Sequence, residues 1–156
     1  GGQRAAKLVD HYQDRLARLA ASAPRERPRV WFEEWDEPLI SGIGWVSELI
    51  GIAGGEDIFV GLAGEASARN RIVTPDAVAE RRPEVILASW CGKKVRFEKI
   101  AARPGWGDVP AVRDGRIHEI KSPLILSPGP AALSEGLDAI VVALRGAGTA
   151  LGRDAA

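Results

Sequence analysis

The side chains best suited to covalent chemistry are few: one cysteine, Cys91, and two histidines, His11 and His118. His11 falls in a predicted amphipathic helix and His118 in a predicted strand, and neither lies near Cys91 in a known catalytic order. A nucleophile needs a base within hydrogen-bond reach, so we predict no catalytic residues. Lys93 and Lys94 beside Cys91 are of the kind that lowers a thiol pKa, and a small α/β enzyme using Cys91 stays an alternative.

Metal and phosphate chemistry are not favoured either. A single cysteine excludes a cysteine-based metal cluster. Four acids surround an indole in residues 33–37, but neighbouring side chains on an extended segment point to opposite faces. This pattern favours a solvated acidic rim over a metal site. The glycines of residues 51–55 close a predicted helix, whereas a phosphate-binding glycine loop opens one.

The tryptophans point instead to a binding surface. Trp35 and Trp90 each lie just beyond a predicted strand, residues 30–34 and 84–89. In an open α/β sheet the crevice outside the carboxyl ends of the strands is where ligands bind. An indole there can stack on a ligand while its N–H stays hydrated. Trp45 lies in the first turn of the next helix and faces either the core or the crevice.

The elements that position these residues alternate between helix and strand. Apolar periodicity predicts helices over residues 3–21 and 42–53, and a proline after a threonine predicts a helix start at residue 74. An Asp-Gly pair between residues 109–112 and 116–120 predicts a hairpin. The remaining predicted elements are a short helix in residues 94–102 and a last helix in residues 131–144. The fold class is therefore α/β, with a mostly parallel central sheet flanked by helices.

Composition narrows the possible partners. The chain has 156 residues, enough for a single domain with a real core. Lysine and arginine together number 21 and so do aspartate and glutamate, so nothing favours a nucleic-acid partner. No apolar run approaches the roughly 20 residues of a membrane span.

Several segments, taken in order, resemble one known family. They are residues 30–40, 48–59, 73–78, 83–87, 103–106 and 109–115. Together they are similar to the C-terminal lobe of class III substrate-binding proteins of ABC importers, which capture cobalamin, ferric siderophores or haem. The Glu-Glu-Trp-Asp-Glu-Pro-Leu-Ile-Ser-Gly and Ser-Trp-Cys-Gly-Lys-Lys segments resemble most the cobalamin-binding branch. The resemblance covers roughly residues 25–144.

The resemblance implies a Rossmann-like lobe of a periplasmic binding protein. Residues 1–24 would be the interlobe helix and linker, residues 25–156 the C-terminal lobe, and the N-terminal lobe would be absent from this chain. The function implied is capture of cobalamin or another corrinoid, without turnover or cofactor, and delivery to a membrane permease. The location implied is periplasmic, or anchored outside the cytoplasmic membrane. An isolated lobe would expose half a cleft and invite self-association.

The resemblance also assigns site residues. Asp76 occupies the position of an acid that docks onto arginines of the permease. Asn70 stands where the cobalamin binder has a tryptophan, and Pro123 and Ser127 replace polar residues of that protein, so another macrocycle, such as haem or a ferric siderophore, stays open. A module that binds no small ligand is the other alternative. The expected ligand contacts are Trp35, Trp45, Trp90, Cys91, Gly92, Lys93, Leu124 and Ser127.

Overall fold

The computed structural model describes residues 2–21, 26–126, 129–130 and 132–145. Its helices and strands follow the alternation expected from the sequence. The helices are α1 (Gly2–Ala21), α2 (Gly44–Ala53), α3 (Pro75–Glu80), α4 (Phe97–Ala101), α5 (Pro110–Arg113), α6 (Ser122–Ile125) and α7 (Leu137–Arg145). The strands are β1 (Arg29–Asp36), β2 (Leu39–Ser41), β3 (Glu56–Asp57), β4 (Ile72–Val73), β5 (Val85–Ala88) and β6 (Ile117–Glu119).

Within the described residues, the six strands form one sheet in the order β4-β2-β1-β5-β6, with β3 paired to the start of β1. Strands β3 and β5 pair parallel with β1, and β6 pairs parallel with β5. Strand β2 pairs antiparallel with β1, and β4 pairs antiparallel with β2, so β4 again runs in the direction of β1. The carboxyl ends of β1, β5 and β6 therefore meet at one edge, which we call the carboxyl edge. The α/β class is confirmed, with a mixed sheet.

Local sequence explains where the main helices begin and end. The hydroxyl oxygen of Thr74 accepts a hydrogen bond of 3.1 Å from the backbone N–H of Ala77, so it caps α3, and Pro75 follows at the first helical position. At the end of α2, Gly54 adopts a left-handed conformation with φ of 101°. Both signals were visible in the sequence, and both are confirmed.

The predicted hairpin around residue 114 is wrong in its first arm. Residues 110–113 form the short helix α5 rather than a strand, and only Ile117–Glu119 is extended. Pro110 stands at the first position of that helix, where its fixed φ and missing N–H cost nothing. In a strand the same proline would remove a ladder hydrogen bond. The proline therefore outweighs the Asp-Gly turn signal.

The core lies on both faces of the sheet. Alternate residues of β1 divide between the faces, so that Val30 and Phe32 pack with α2 and α7, while Trp31 packs with Ile86 and Trp106 on the other side. The sheet is thus covered on both sides, as a largely parallel sheet requires.

Helix α1 packs against the same face as α2 and α7. Leu16 and Leu19 contact the apolar cluster there, and Arg15 forms an ion pair with Asp138 of α7. This helix therefore belongs to the same packed body as the sheet. None of the described helices has the length and apolar character that crossing a membrane requires.

Candidate functional site

The carboxyl edge brings two of the predicted aromatic residues around one lysine. The Nζ atom of Lys93 lies 4.4 Å from the ring centroid of Trp35 and 5.0 Å from that of Trp90. The preceding residue, Gly92, has φ of 73°, a conformation that favours glycine. The backbone N–H of Lys93 then donates to the carbonyl of Trp90 at 3.2 Å, closing the turn. The two indole-bearing segments thus converge on one edge of the sheet, as the sequence predicts.

Trp35 keeps an accessible surface. It is the penultimate residue of β1, inside the strand rather than beyond it, and pairs with Ile40 of β2. Its Nε1 donates a hydrogen bond of 3.0 Å to the carbonyl of Glu37, which fixes the ring beside the hairpin turn. The side chain is half-buried. Trp35 is therefore a fixed aromatic surface at the carboxyl edge.

Trp90 differs from the hydrated, open ring that its position predicts. It is only 3% exposed, and its Nε1 donates a hydrogen bond of 2.7 Å to Oε2 of Glu33. The indole N–H is thus satisfied inside the protein and not by water. In this arrangement the ring of Trp90 lies against the ammonium group of Lys93 and supports it. Too little of the ring is exposed for a ligand to stack on it.

Glu33 is the buried centre of this edge. Its carboxylate is fully buried and accepts hydrogen bonds from Nε1 of Trp31 at 3.0 Å and from Trp90. Arg103 contacts both carboxylate oxygens, at 2.5 and 2.9 Å. The guanidinium of Arg103 also lies 4.6 Å from the ring centroid of Trp106. A buried charge is tolerated when it is paired and fully hydrogen-bonded, as this one is.

The acids of residues 33–37 are ion-paired, and of the solvated rim that the sequence predicts only Glu37, which pairs with Lys99 at 2.9 Å, is largely exposed. Glu34 pairs with Arg71 at 2.5 Å. The buried carboxylate of Asp36 lies between Lys93, at 2.7 Å, and Lys99, at 3.1 Å. Burial by itself raises the pKa of Asp36, but the hydrogen bonds from Lys93 and Lys99 outweigh it and leave the pKa below its ordinary value.

A cavity of about 250 Å³ adjoins Lys93 on the side of β6. Glu119 is the acidic residue that lines this cavity. It accepts a hydrogen bond of 2.9 Å from the backbone N–H of Val95 and pairs with Lys121 at 3.0 Å. The hydrogen bond from Val95 is the main reason that the pKa of Glu119 is lowered, and Lys121 and Lys94 add to it. We call this space the lysine pocket. Its lining residues are Trp90, Gly92, Lys93, Lys94, Glu119, Ile120, Lys121, Ser122 and Pro123.

The other predicted ligand contacts lie at different places in the structure. Cys91 is exposed and free, beside Gly92 in the same turn. Leu124 is half-buried in α6. Trp45 turns to the core side of α2, where its Nε1 donates to the carbonyl of Ile125 at 2.8 Å. Ser127 lies outside the described residues.

A second groove, of about 550 Å³, lies on the other side of Asp36. Residues of β2 and β4 line it, and so do Lys99 and Arg103. Thr74 and Pro75 border it at the start of α3. Asp76 is exposed in the first turn of that helix.

The two histidines line neither the lysine pocket nor the second groove. His118 is half-buried in β6, where burial lowers its pKa and the charge of Arg116 lowers it further. His11 is exposed on α1. Across the part of the chain that the structure describes, no three histidine, cysteine, aspartate or glutamate side chains are grouped closely enough to hold a metal ion.

Sequence reasoning missed the buried network of Glu33 and its partners. One signal was available in the sequence. Trp31 and Glu33 are two residues apart on β1, so their side chains point to the same face, and an acid on the face of a core residue indicates a buried ion pair. Its partner Arg103 lies 70 residues away, and no local pattern links the two.

Comparison with known proteins agrees with this architecture. Residues 2–124 match the family described as "Periplasmic binding protein". The curated "Vitamin B12-binding protein" of Vibrio parahaemolyticus is 27% identical over 136 residues, which are 85% of this chain and 46% of that protein. The chain thus spans about half the length of the curated relative.

Two solved structures show the same fold. A possible iron-binding, periplasmic solute-binding protein from Staphylococcus epidermidis superposes with a TM-score of 0.75 at 19% identity, covering 92% of this chain and 55% of that one. A periplasmic haem-binding protein from Roseiflexus sp. RS-1, in apo form, superposes with a TM-score of 0.67 at 24% identity, covering 92% of this chain and 57% of that one.

The relatives are solute-binding proteins and not enzymes. They therefore favour a binding function over the alternative enzyme that would use Cys91. The family match extends over well more than half of the sequence, and the described sheet and helices have the fold of the solved relatives. The chain belongs to the periplasmic binding protein family.

Proposed function

We propose that this chain is the ligand-holding C-terminal lobe of a substrate-binding component of an ABC importer. Residues 25–156 would form the lobe and residues 1–24 the helix and linker that lead to a second lobe. The observation that carries the proposal is the position of Trp35: a half-buried aromatic ring, fixed by a hydrogen bond at the carboxyl edge and placed against Lys93. Ligands of open α/β sheets bind outside this edge.

The ligand is cobalamin or a related corrinoid in this proposal. The curated vitamin B12-binding relative supports this choice. A flat, bulky macrocycle suits an aromatic side chain that already has a fixed orientation, because little side-chain entropy is lost on contact. Gly92, without a side chain, lets the ligand approach the backbone beside Cys91.

The predicted contacts have different roles in this proposal. Trp35, Cys91, Gly92 and Lys93 contact the ligand directly, and Trp90 acts by supporting Lys93. Leu124, in α6 after β6, extends the contact surface, and Ser127 stays a predicted contact outside the described residues. Trp45 contributes through the packing of α2 against Ile125.

A haem or ferric-siderophore ligand is the second candidate. The structural likeness to a haem-binding protein and to a possible iron-binding protein supports it. The lysines of the carboxyl edge suit the carboxylates of haem as well as the phosphate of cobalamin.

The partner in this proposal is the membrane permease of the importer, and the location is the periplasm or the outer face of the cytoplasmic membrane. Asp76 is the proposed docking residue. It is exposed in the first turn of α3, where an acid is also favoured by the helix dipole. The structural role and the docking role do not exclude each other.

Titration of the protein with cobalamin, haem and a ferric siderophore, followed by tryptophan fluorescence, tests the proposal. We expect saturable quenching by one of the three, because Trp35 and Trp90 lie at the proposed site. Calorimetry on the same samples separates binding from absorption of the exciting light by the ligand. Absence of heat and of saturable quenching with all three compounds would contradict the proposed function.

A further inference from the structure

We infer that the lysine pocket holds an anionic side arm of the ligand, a phosphate or carboxylate group. The inference rests on the proposed function and specifies the chemistry of its ligand. The pocket shares Trp90, Gly92 and Lys93 with the surroundings of Trp35. A macrocycle lying on Trp35 can therefore extend a side arm into it.

The charges that line the pocket include one positive charge without a paired acid. Lys93, Lys94, Lys121 and Glu119 line it. Lys93 pairs with Asp36 and Lys121 with Glu119, so the excess comes from Lys94. The whole chain has no net charge, so this excess is local. A concave surface lined by one sign of charge concentrates ions of the opposite sign.

The single carboxylate is already engaged. Glu119 accepts the backbone N–H of Val95 and pairs with Lys121. Lys93 is bound to Asp36, which Lys99 also contacts. Lys94 forms no ion pair or hydrogen bond with any residue that the structure describes, and its charge acts on Glu98 and Glu119 only at longer range.

The pocket thus has unused donors and no unused acceptor charge. A phosphate or carboxylate entering it would supply the counter-charge that Lys94 lacks and would accept charge-assisted hydrogen bonds from Lys94 and Lys121. An uncharged carboxamide arm would leave the excess of positive charge in place.

Two pairs of compounds test the inference, because each pair differs in an anionic arm. Cobalamin carries a nucleotide, attached through an anionic phosphodiester, that cobinamide lacks, and haem carries two carboxylates that are neutral esters in its dimethyl ester. Dissociation constants are measured for the wild-type protein and for a Lys94→Gln, Lys121→Gln double variant. Arg113→Gln is the matched control, because it removes one exposed positive charge that pairs only with its neighbour Asp114.

We expect the double variant to bind the anionic member of the active pair about tenfold more weakly, and its neutral analogue with less than a twofold change. Added salt should weaken binding of the anionic member to the wild type and have less effect in the double variant. An equal loss for both members of a pair, or no loss for either, would overturn the inference while leaving the proposed function intact. Failure of all four compounds and of a ferric siderophore to bind the wild type would instead overturn the proposed function, and the inference with it.

Discussion

Glu33 accepts a hydrogen bond of 2.7 Å from the indole of Trp90, although 57 residues separate them in the sequence. This bond ties the loop after β5 to the middle of β1. Because Lys93 lies over the ring of Trp90 and its backbone N–H donates to the Trp90 carbonyl, the same bond fixes the lysine of the proposed site. A buried carboxylate therefore positions the carboxyl edge without being part of its surface.

Replacing Glu33 with glutamine should destabilise the protein strongly. The amide keeps the shape but leaves the charge of Arg103, whose side chain is 12% exposed, without its partner. Removing one member of a buried ion pair costs about 3–5 kcal/mol. Urea denaturation measures the change in the free energy of unfolding.

Glu84→Gln is the matched control for that measurement. Glu84 also pairs with an arginine, Arg29, at 3.2 Å, but both side chains are more than a third exposed. Exposed pairs contribute about 1 kcal/mol or less. If the two glutamine variants lost similar stability, Glu33 would not have the central role described above.

The difference between these two acids shows how far sequence reasoning reaches. Glu33 and Glu34 are neighbours with the same chemistry, yet one is fully buried and the other half-buried. Alternation along β1 predicts that they point to opposite faces. It does not predict that Arg103 and Arg71 reach them, because those contacts depend on how distant segments fold back.

The same limit explains the missed strands. Helix α3 carries a start signal at Thr74 and Pro75 and helix α2 a stop signal at Gly54, so local sequence predicts them. Strands β2 and β4 have three and two residues, and exist because they pair with neighbours that are already in place. Too few side chains alternate there for a pattern to form. The convergence of Trp35 and Trp90 was predictable from strand order, and the burial of Trp90 was not.

Acid should remove the stabilisation that Asp36 provides. Its pKa in the folded protein lies below the ordinary value, because the hydrogen bonds from Lys93 and Lys99 outweigh the effect of burial. Asp36 therefore contributes stability above the unfolded pKa of about 3.9, and this contribution is lost as the pH falls through the folded pKa. The difference in the free energy of unfolding between the wild type and Asp36→Asn, measured as a function of pH, should shrink from about pH 5 downward.

Asp57 provides a contrast of opposite sign in the same experiment. Burial raises its pKa despite the 2.9 Å hydrogen bond from the backbone N–H of Phe59. Its contribution is fully present below the unfolded pKa and is lost as the pH rises through the folded pKa. The free energy of unfolding of Asp57→Asn should therefore increase relative to that of the wild type as the pH rises. Differences that change in the same direction with pH for the two variants would contradict one assignment, and differences that do not change with pH would contradict both.

Gly136→Ala should destabilise the contact between the π-helix Ala132–Gly136 and α6. A Cβ atom at residue 136 would lie 2.5 Å from the carbonyl oxygen of Leu124. Backbone must move to relieve such a contact, at a cost of about 1–3 kcal/mol. Gly64→Ala is the control, since a Cβ there meets nothing within 4 Å and should change stability by less than about 0.5 kcal/mol. The melting temperatures of the two variants test the difference.

Asp76→Arg should separate docking from ligand binding. The side chain is exposed and lies outside the surroundings of Lys93, so the dissociation constant of the ligand should stay within twofold. If Asp76 is the docking acid, stimulation of the importer's ATPase should be lost, because the substitution replaces its negative charge with a positive one. Glu56→Arg, an exposed charge reversal beside the amino end of β1, is the control. Full stimulation by Asp76→Arg would exclude docking through this residue.

Trp35→Ala should weaken ligand binding by about 1–3 kcal/mol, that is about 5- to 150-fold, if the ring contacts the ligand. Trp35→Phe keeps an aromatic face and loses the hydrogen bond to the Glu37 carbonyl and part of the ring area, so it should retain most of the affinity. Phe97→Ala removes another exposed ring, which lines neither the lysine pocket nor the second groove, and should leave the dissociation constant unchanged. Calorimetry on folded samples distinguishes the three. Equal affinities for Trp35→Ala and the wild type would remove Trp35 from the site, and with it the observation on which the proposed function depends.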